Sequence, residues 1–215
     1  MLKVIEKIKR HKIVAIIRTD SINELEQTVE SLYKGGIRIV EVTLNTPGAL
    51  EGIKLLQNKF PELIVGAGTV LDPESARQSI LSGASFLLAP TLKESSISMA
   101  NRYNTFIVPG VLTPTEALTA YEYGARMVKI FPARSVGSRY ISDLKGPLSQ
   151  IDIMAVGGIS LENAKEFLEA GSCALGIGSA LVDNKLVKQG DFSEIEKRAR
   201  DFVEIANRFE SSKNS

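Results

Sequence analysis

The stretch VAIIRTDSINELEQTVESLYKGGIRIVEVTL (14–44) decides the fold, because it holds one complete strand–helix–strand unit. Each end is a short, nearly continuous run rich in β-branched residues, which is typical of a parallel strand covered on both faces. The middle has helical periodicity. It begins at the cap residue Ser21, places Ile22, Leu25, Val29 and Leu32 on one face, and ends at Gly35 and Gly36.

Similar apolar runs recur along the rest of the chain. The eight runs begin at Val14, Ile39, Ile64, Phe86, Phe106, Met127, Ile153 and Ala174, with 20 to 26 residues between successive starts. Two of the intervening stretches repeat the helical signals. TPTEALTAYEYGA (113–125) has Thr113 as cap and Glu116 three residues later, and SLENAKEFLEAGS (160–172) has Ser160 as cap and Gly171 as stop. Eight strand–helix units predict an α/β protein with a (β/α)8 TIM barrel.

We expect a single domain over residues 1–215, because no linker or shift in composition divides the chain. The barrel is predicted over about 12–185 and a C-terminal helix over about 191–210, followed by a frayed tail, SSKNS. The start, MLKVIEKIKRHK, predicts an amphipathic helix rather than a targeting peptide. An open doubly wound sheet is the alternative, although IIRTDS after the first run lacks a glycine-rich dinucleotide fingerprint.

Composition excludes several classes of function. The formal net charge is +1, so no overall field favours nucleic acid or an anionic membrane, and no apolar run is long enough to span one. Cys173 and His11 are the only cysteine and histidine, which disfavours a transition-metal site or a Ser-His-Asp triad. A lone cysteine fits a reducing cytoplasm, where we expect the protein to work.

Polar and small residues follow the predicted strands, where a barrel builds its active site. They are Arg18; Glu41, Thr43 and Asn45; Gly66, Gly68 and Thr69; Pro90; Pro109; Lys129, Phe131 and Pro132; Gly157 and Gly158; Gly176, Gly178 and Ser179. Arginine, glutamate, threonine and lysine are therefore expected to converge on one mouth of the barrel.

Lys129, in MVKIFPA (127–133), is a charge inside an apolar run. Strand alternation places it on one face with Met127 and Phe131, while Glu41 shares a face with Ile39 and Thr43. If the more apolar faces pack on the helices, Lys129 and Glu41 both point into the barrel. One interpretation is a buried ion pair in the core. The other is a lysine with a depressed pKa that attacks a carbonyl carbon, with Glu41 as the proton-transfer group.

Two glycine-rich turns, VGGIS (156–160) and GIGSA (176–180), end the last two predicted strands. They are either simple tight turns or the phosphate site that such barrels build there. VGAGTV (65–70) lacks the third glycine of a nucleotide fingerprint, so we interpret it as a strand end that presents Thr69 and backbone N–H groups to a carboxylate. Arg18 is a second candidate carboxylate anchor, or else part of a salt bridge at the rim.

The chain resembles the 2-keto-4-hydroxyglutarate / 2-keto-3-deoxy-6-phosphogluconate (KHG/KDPG) aldolase family. The matching fragments run in family order over roughly 10–185: VAIIR, GGIRIVEVTLNTP, IVGAGTVLDP, FLLAPTL, VPGVLTPTEA, VKIFPA, KGPL, AVGGIS and GIGSALV. The resemblance implies a metal-independent class I aldolase without cofactor, usually a homotrimer. Such an enzyme cleaves a phosphorylated 2-keto-3-deoxy sugar acid to pyruvate and glyceraldehyde 3-phosphate.

The resemblance also implies roles for individual residues. Lys129 matches the Schiff-base lysine and Glu41 the proton-transfer glutamate. Residues matching the substrate carboxylate site are Arg18 and Thr69, those matching the walls around the imine are Pro90 and Phe131, and those matching the phosphate end are Gly157, Gly158, Gly178 and Ser179.

Two wall positions depart from the phosphogluconate pattern. Asn45 replaces an arginine, and Val156 replaces a threonine that could hydrogen-bond a substrate hydroxyl. Both departures are similar to the 6-phosphogalactonate branch, so the sequence leaves both C4 epimers, and also 4-hydroxy-2-oxoglutarate, open as substrates. A phosphate-binding isomerase or epimerase, and a non-catalytic sugar-phosphate binder, are the alternative functions.

Overall fold

The computed structural model describes residues 1–213 and contains parallel strands joined by helices in a barrel. The nine described strands are β1 (Ile13–Ile17), β2 (Ile39–Thr43), β3 (Ile64–Gly68), β4 (Leu87–Leu88), β5 (Ile107–Val108), β6 (Gly110–Val111), β7 (Met127–Ile130), β8 (Asp152–Val156) and β9 (Ala174–Ile177). The predicted (β/α)8 barrel is confirmed, and each of the eight apolar runs contributes to it.

The helices are α1 (Leu2–His11), α2 (Ile22–Lys34), α3 (Ala49–Lys59), α4 (Pro73–Leu81), α5 (Glu94–Arg102), α6 (Pro114–Glu122), α7 (Gly137–Lys145), α8 (Ala164–Glu169), α9 (Asn184–Gln189) and α10 (Phe192–Lys213), with a 3₁₀ turn at Ala133–Ser135. Helices α2 to α8 follow strands along the chain and surround the barrel, whereas α1 precedes β1 and both α9 and α10 follow β9. Within residues 1–213, no helix is both long enough and apolar enough to cross a membrane.

The fifth barrel position consists of two short strands rather than one. Pro109 divides it into β5, which pairs with β4, and β6, which pairs with β7. Proline has no N–H to donate to a ladder, but its carbonyl oxygen accepts a hydrogen bond from the N–H of Lys129 at 2.8 Å. The sheet order β5-β4-β3-β2-β1-β9-β8-β7-β6 therefore closes on itself through this divided strand.

Strand alternation produces two separate hydrophobic cores. Val40, Val42, Val128 and Ile130 face outward and pack with the helices, whereas residues such as Val14, Ile39, Met127 and Met154 fill the inside of the barrel. Ile5 and Ile8 of the N-terminal helix α1 belong to this inner core and cover its amino-terminal end. The interior is thus filled from below and opens only toward the carboxyl ends of the strands.

The helix-capping predictions hold at two sites and are wrong at a third. Ser21 accepts the N–H of Glu24, and Thr113 forms a capping box with Glu116. Ser160 does not cap a helix, because a turn follows it and α8 begins only at Ala164. The C-terminal helix continues through Lys213, so part of the tail expected to fray is helical, and its last two residues lie outside the described chain.

Candidate active site

A cavity of about 720 Å³ opens at the carboxyl ends of β1, β7, β8 and β9. Seven residues predicted from the sequence line it: Arg18, Phe131, Val156, Gly157, Gly158, Gly178 and Ser179. They converge because parallel strands bring their carboxyl ends to the same edge of the barrel. The cavity therefore brings together part of the predicted mouth, while Glu41, Thr69 and Lys129 are not among its described lining residues.

Lys129 and Glu41 lie in the barrel interior, as strand alternation predicts. The Lys129 side chain is on the face of β7 that includes Met127, and Glu41 is on the face of β2 that includes Ile39. Lys129 is 5% exposed and Glu41 is 1% exposed. In the described part of the chain, no ion pair or hydrogen bond joins the two groups, which differs from the buried ion pair considered above.

Burial shifts both groups toward their neutral forms. Desolvation lowers the pKa of the Lys129 ammonium; the carboxylate of Glu41 opposes this shift, and the positive charge of Arg18 adds to it. Desolvation raises the pKa of the Glu41 carboxyl, against the attraction of Lys129 and Arg18. A neutral amine is the form that attacks a carbonyl carbon, so this environment favours nucleophilic chemistry at Lys129.

The Glu41 carboxyl group lies directly against Gly68 of the neighbouring strand, where any larger residue would overlap it. A Cβ atom at Gly68 would overlap Oε1 of Glu41, and a Cβ at Gly66 would lie 2.5 Å from the ring of Phe86. The Oε2 atom of Glu41 is buried and has no hydrogen-bond partner among residues 1–213. The glycines of VGAGTV therefore make room for side chains inside the barrel, and one carboxyl oxygen stays available for proton transfer.

Phe131 contacts Lys129, whereas Pro90 contacts the strand next to it. The Nζ atom of Lys129 is 4.6 Å from the centroid of the Phe131 ring, and the Phe131–Pro132 peptide bond is cis. Pro90 does not line the cavity in the described chain, but its backbone leaves no room for a Cβ at Gly110, the residue paired with Lys129 in the sheet. Phe131 therefore forms a wall at the amine, while Pro90 packs against the neighbouring strand.

Arg18, Asn45 and Thr69 are not all at the same place. Arg18 is exposed at the cavity and donates from Nε to Oδ1 of Asn45 at 3.3 Å. Asn45 itself lines a separate cavity of about 480 Å³ beside α3. Thr69 follows Gly68 directly with a φ of 58°, a left-handed conformation that few residues other than glycine adopt. Asn45 is thus connected to the 720 Å³ cavity only by its hydrogen bond with Arg18, among the contacts of the described chain.

The glycine-rich turns after the neighbouring strands β8 and β9 both line the cavity. Gly157 and Gly158 have φ values of 93° and 81°, which glycine adopts without strain. The N–H groups of Gly158 and Ser179 donate to no protein acceptor among residues 1–213. Val156 is buried, and its methyl groups occupy the space that a Cβ at Gly176 would need.

Arg134 also lines the cavity, and the sequence reading missed it. It lies in the 3₁₀ turn that follows Pro132, two residues beyond the end of the sixth apolar run, MVKIFP. The only signal in the sequence is its position immediately after FPA.

Within the described chain, no group of three or more histidine, cysteine, aspartate or glutamate side chains could hold a metal ion. His11 lies at the end of α1, beside a small cavity that it shares with Arg10 and Arg38. Burial raises the pKa of the Cys173 thiol to about 12, which keeps it protonated and unreactive.

The geometry and the sequence agree with comparisons to known proteins. A family model described as KDPG and KHG aldolase matches residues 4–198. The 2-dehydro-3-deoxy-phosphogluconate aldolase of Haemophilus influenzae is 33% identical over 204 residues, covering 94% of this chain and 96% of the relative. The 2-dehydro-3-deoxy-6-phosphogalactonate aldolase of Escherichia coli K12 is 35% identical over 171 residues, covering 79% of this chain and 83% of the relative.

A solved structure shares the fold closely. It is a KDPG aldolase from Legionella pneumophila with pyruvate captured as a covalent carbinolamine intermediate. The two chains are 27% identical with a TM-score of 0.85, over 90% of this chain and 94% of the other.

Proposed function

The chain belongs to the KDPG and KHG aldolase family, and we propose that it cleaves a 2-keto-3-deoxy-6-phospho sugar acid to pyruvate and glyceraldehyde 3-phosphate. It is a class I aldolase, a carbon–carbon lyase that works through a Schiff base. One observation carries the substrate assignment. Lys129 is buried, the charges of Glu41 and Arg18 act on its pKa, and glycine-rich turns line the open cavity at the same end of the barrel. 4-Hydroxy-2-oxoglutarate, cleaved to pyruvate and glyoxylate, is a second substrate of the same site.

The reaction proceeds through the amine of Lys129. The neutral amine adds to the C2 carbonyl carbon of the substrate, and loss of water leaves a protonated imine. Glu41 accepts the proton of the C4 hydroxyl through a water molecule, the C3–C4 bond breaks, and its electron pair moves to the imine nitrogen to form an enamine. Glyceraldehyde 3-phosphate leaves, the enamine is protonated at C3, and hydrolysis of the resulting imine releases pyruvate and restores Lys129.

The remaining residues position the substrate. Arg18 and the backbone near Thr69 bind the carboxylate, for which a guanidinium group is well suited. Phe131 confines the imine, since its ring centroid lies 4.6 Å from Nζ of Lys129, and Pro90 supports the strand that pairs with Lys129. The turns at Gly157–Gly158 and Gly178–Ser179 hold the phosphate with free N–H groups.

We expect the 6-phosphogalactonate-type substrate to be preferred over its C4 epimer by at least about tenfold in kcat/KM, since Val156 offers the C4 hydroxyl no hydrogen bond. The measurement is pyruvate release from both epimers and from 4-hydroxy-2-oxoglutarate. A Val156→Thr variant serves as the matched comparison and should move the ratio toward the gluconate type. Equal activity on both epimers, unchanged in the variant, would remove Val156 from the recognition of C4.

The assembly is proposed to be a homotrimer. Six of the eight large hydrophobic side chains that are exposed in the described chain lie between residues 71 and 123: Leu71, Leu81, Tyr103, Leu112, Leu118 and Tyr123. They belong to α4, α6 and adjoining loops, and α4 packs directly on α5. Exposed apolar side chains on and beside the consecutive helices α4, α5 and α6 mark a contact surface, and copies of the same chain are the partner we infer.

A Leu81→Arg substitution is expected to dissociate the trimer to the 23.3 kDa monomer, because it places a charge in this apolar contact. Leu2→Arg is the control, since Leu2 is similarly exposed (69% against 63%) but lies on α1 at the amino-terminal end of the barrel. Light scattering coupled to size-exclusion chromatography measures the molar mass. A wild-type monomer, or a trimer that survives Leu81→Arg, would contradict the proposed interface.

We also propose that the protein works in the cytoplasm. Its single cysteine cannot form a disulfide within the chain and therefore needs no oxidising compartment. Cell fractionation with antibody detection measures the location directly.

A further inference from the structure

Arg134 is attached to the loop that is proposed to bind phosphate. Its N–H donates to the carbonyl oxygen of Gly157 at 2.9 Å. A Cβ at Gly158 would overlap Cβ of Arg134 and lie 2.9 Å from its Cδ, so the aliphatic part of the arginine packs directly on Gly158. The backbone and the base of the side chain are therefore held beside the free N–H of Gly158, while the residue as a whole remains exposed to the cavity.

The guanidinium group of Arg134 has no ion pair or hydrogen bond among residues 1–213. Among the described residues that line the same cavity, Asp183 is the one carboxylate, and it caps α9 by accepting the N–H of Lys185 at 2.8 Å. Arg18, the other cation at the cavity, is bonded to Asn45. In the described chain, the cavity thus holds two arginines against one carboxylate, and the guanidinium group of Arg134 has no protein partner.

We propose that Arg134 binds the phosphate group of the substrate and makes this site prefer phosphorylated over unphosphorylated 2-keto acids. The inference rests on the proposed function and deepens it. A phosphate carries a charge of about −1.5 to −2 at neutral pH, which backbone N–H groups alone do not neutralise. A guanidinium group adds a full positive charge and can donate two parallel hydrogen bonds to phosphate oxygens.

The division of charge across the cavity supports this assignment. A phosphorylated keto acid carries a carboxylate beside the reacting ketone and a phosphate at its far end. Arg18 follows β1 and Arg134 follows β7, so that each anionic end has its own arginine. An exposed arginine without a partner is common on protein surfaces, and the packing of this one on Gly158 is what distinguishes it.

The test compares Arg134→Gln with wild type on two substrates that differ only in phosphate, the 6-phosphorylated sugar acid and its unphosphorylated counterpart. We expect KM for the phosphorylated substrate to rise about 10- to 100-fold, because a charge-assisted contact is lost. The unphosphorylated substrate should change less than about twofold. Arg134→Lys should recover part of the loss. Arg139→Gln, an exposed arginine on α7 away from the cavity, is the matched control.

Two further readouts separate the possible outcomes. Equal losses on both substrates would show a structural role, and no loss on either would show that Arg134 does not contact phosphate; both overturn the proposal. Inorganic phosphate binding, measured by calorimetry without any turnover, should weaken in Arg134→Gln. If the wild-type enzyme binds phosphate through Arg134 but forms no pyruvate adduct at Lys129, the proposed function fails while this inference stands.

Discussion

Replacing Lys129 by methionine is expected to abolish Schiff-base formation and to lower kcat/KM by about 10⁴-fold or more, since no other lysine is among the described residues at the cavity. In wild type, incubation with pyruvate followed by borohydride reduction should add one covalent adduct, which peptide mass spectrometry places on Lys129. Methionine keeps a long unbranched side chain in the same buried space and removes a desolvated charge. The thermal midpoint should therefore stay the same or rise.

Lys54→Met is the control for this substitution. Lys54 is exposed on α3 and far in the fold from the cavity, so this variant should keep the adduct and full activity. An adduct on another lysine, or activity that survives Lys129→Met, would refute the proposed nucleophile.

The pH dependence of adduct formation follows from the same geometry. Only the neutral amine reacts, so the rate of adduct formation rises as the pH increases through the pKa of Lys129. Because burial lowers this pKa, the midpoint should lie below the ordinary lysine value of 10.5. A midpoint at or above that value would mean that burial does not activate the amine.

A Glu41→Gln substitution is expected to keep imine formation but to slow carbon–carbon cleavage by about 10²- to 10⁴-fold, the usual contribution of a positioned acid–base group. Glutamine fits the same space beside Gly68 but cannot accept the proton of the C4 hydroxyl. Single-turnover mixing, with borohydride trapping of the imine and a coupled assay for glyceraldehyde 3-phosphate, measures the two steps separately.

The variant also has an expected effect on Lys129. The negative charge of Glu41 raises the pKa of the lysine, so its removal should move the midpoint of adduct formation to lower pH. Glu51→Gln, at an exposed position in the first turn of α3, is the control and should alter neither step. Unchanged cleavage in Glu41→Gln would assign the proton transfer to another group.

Much of the fold could be predicted because it depends on local patterns. The spacing of β-branched runs and the caps at Ser21 and Thr113 are properties of neighbouring residues, and they correctly predicted the barrel and two helix starts. The cap at Ser160 was predicted wrongly because Asn163 accepts the N–H of Ser160, which forms a turn ahead of α8. Pro109 divides a strand that was predicted to be continuous, since its missing N–H interrupts the ladder.

The sequence by itself determined which side chains share a face of each strand, because alternation is a local property, and the more apolar opposite faces indicated that Lys129 and Glu41 point into the barrel. Only the tertiary structure decided how the site is assembled from distant segments. It places Asn45 in a neighbouring cavity, uses Gly68 to accommodate Glu41, and packs Arg134 on Gly158. These contacts join residues that are 24 to 27 positions apart in the chain, so they depend on how strands and loops pack in space rather than on any local pattern.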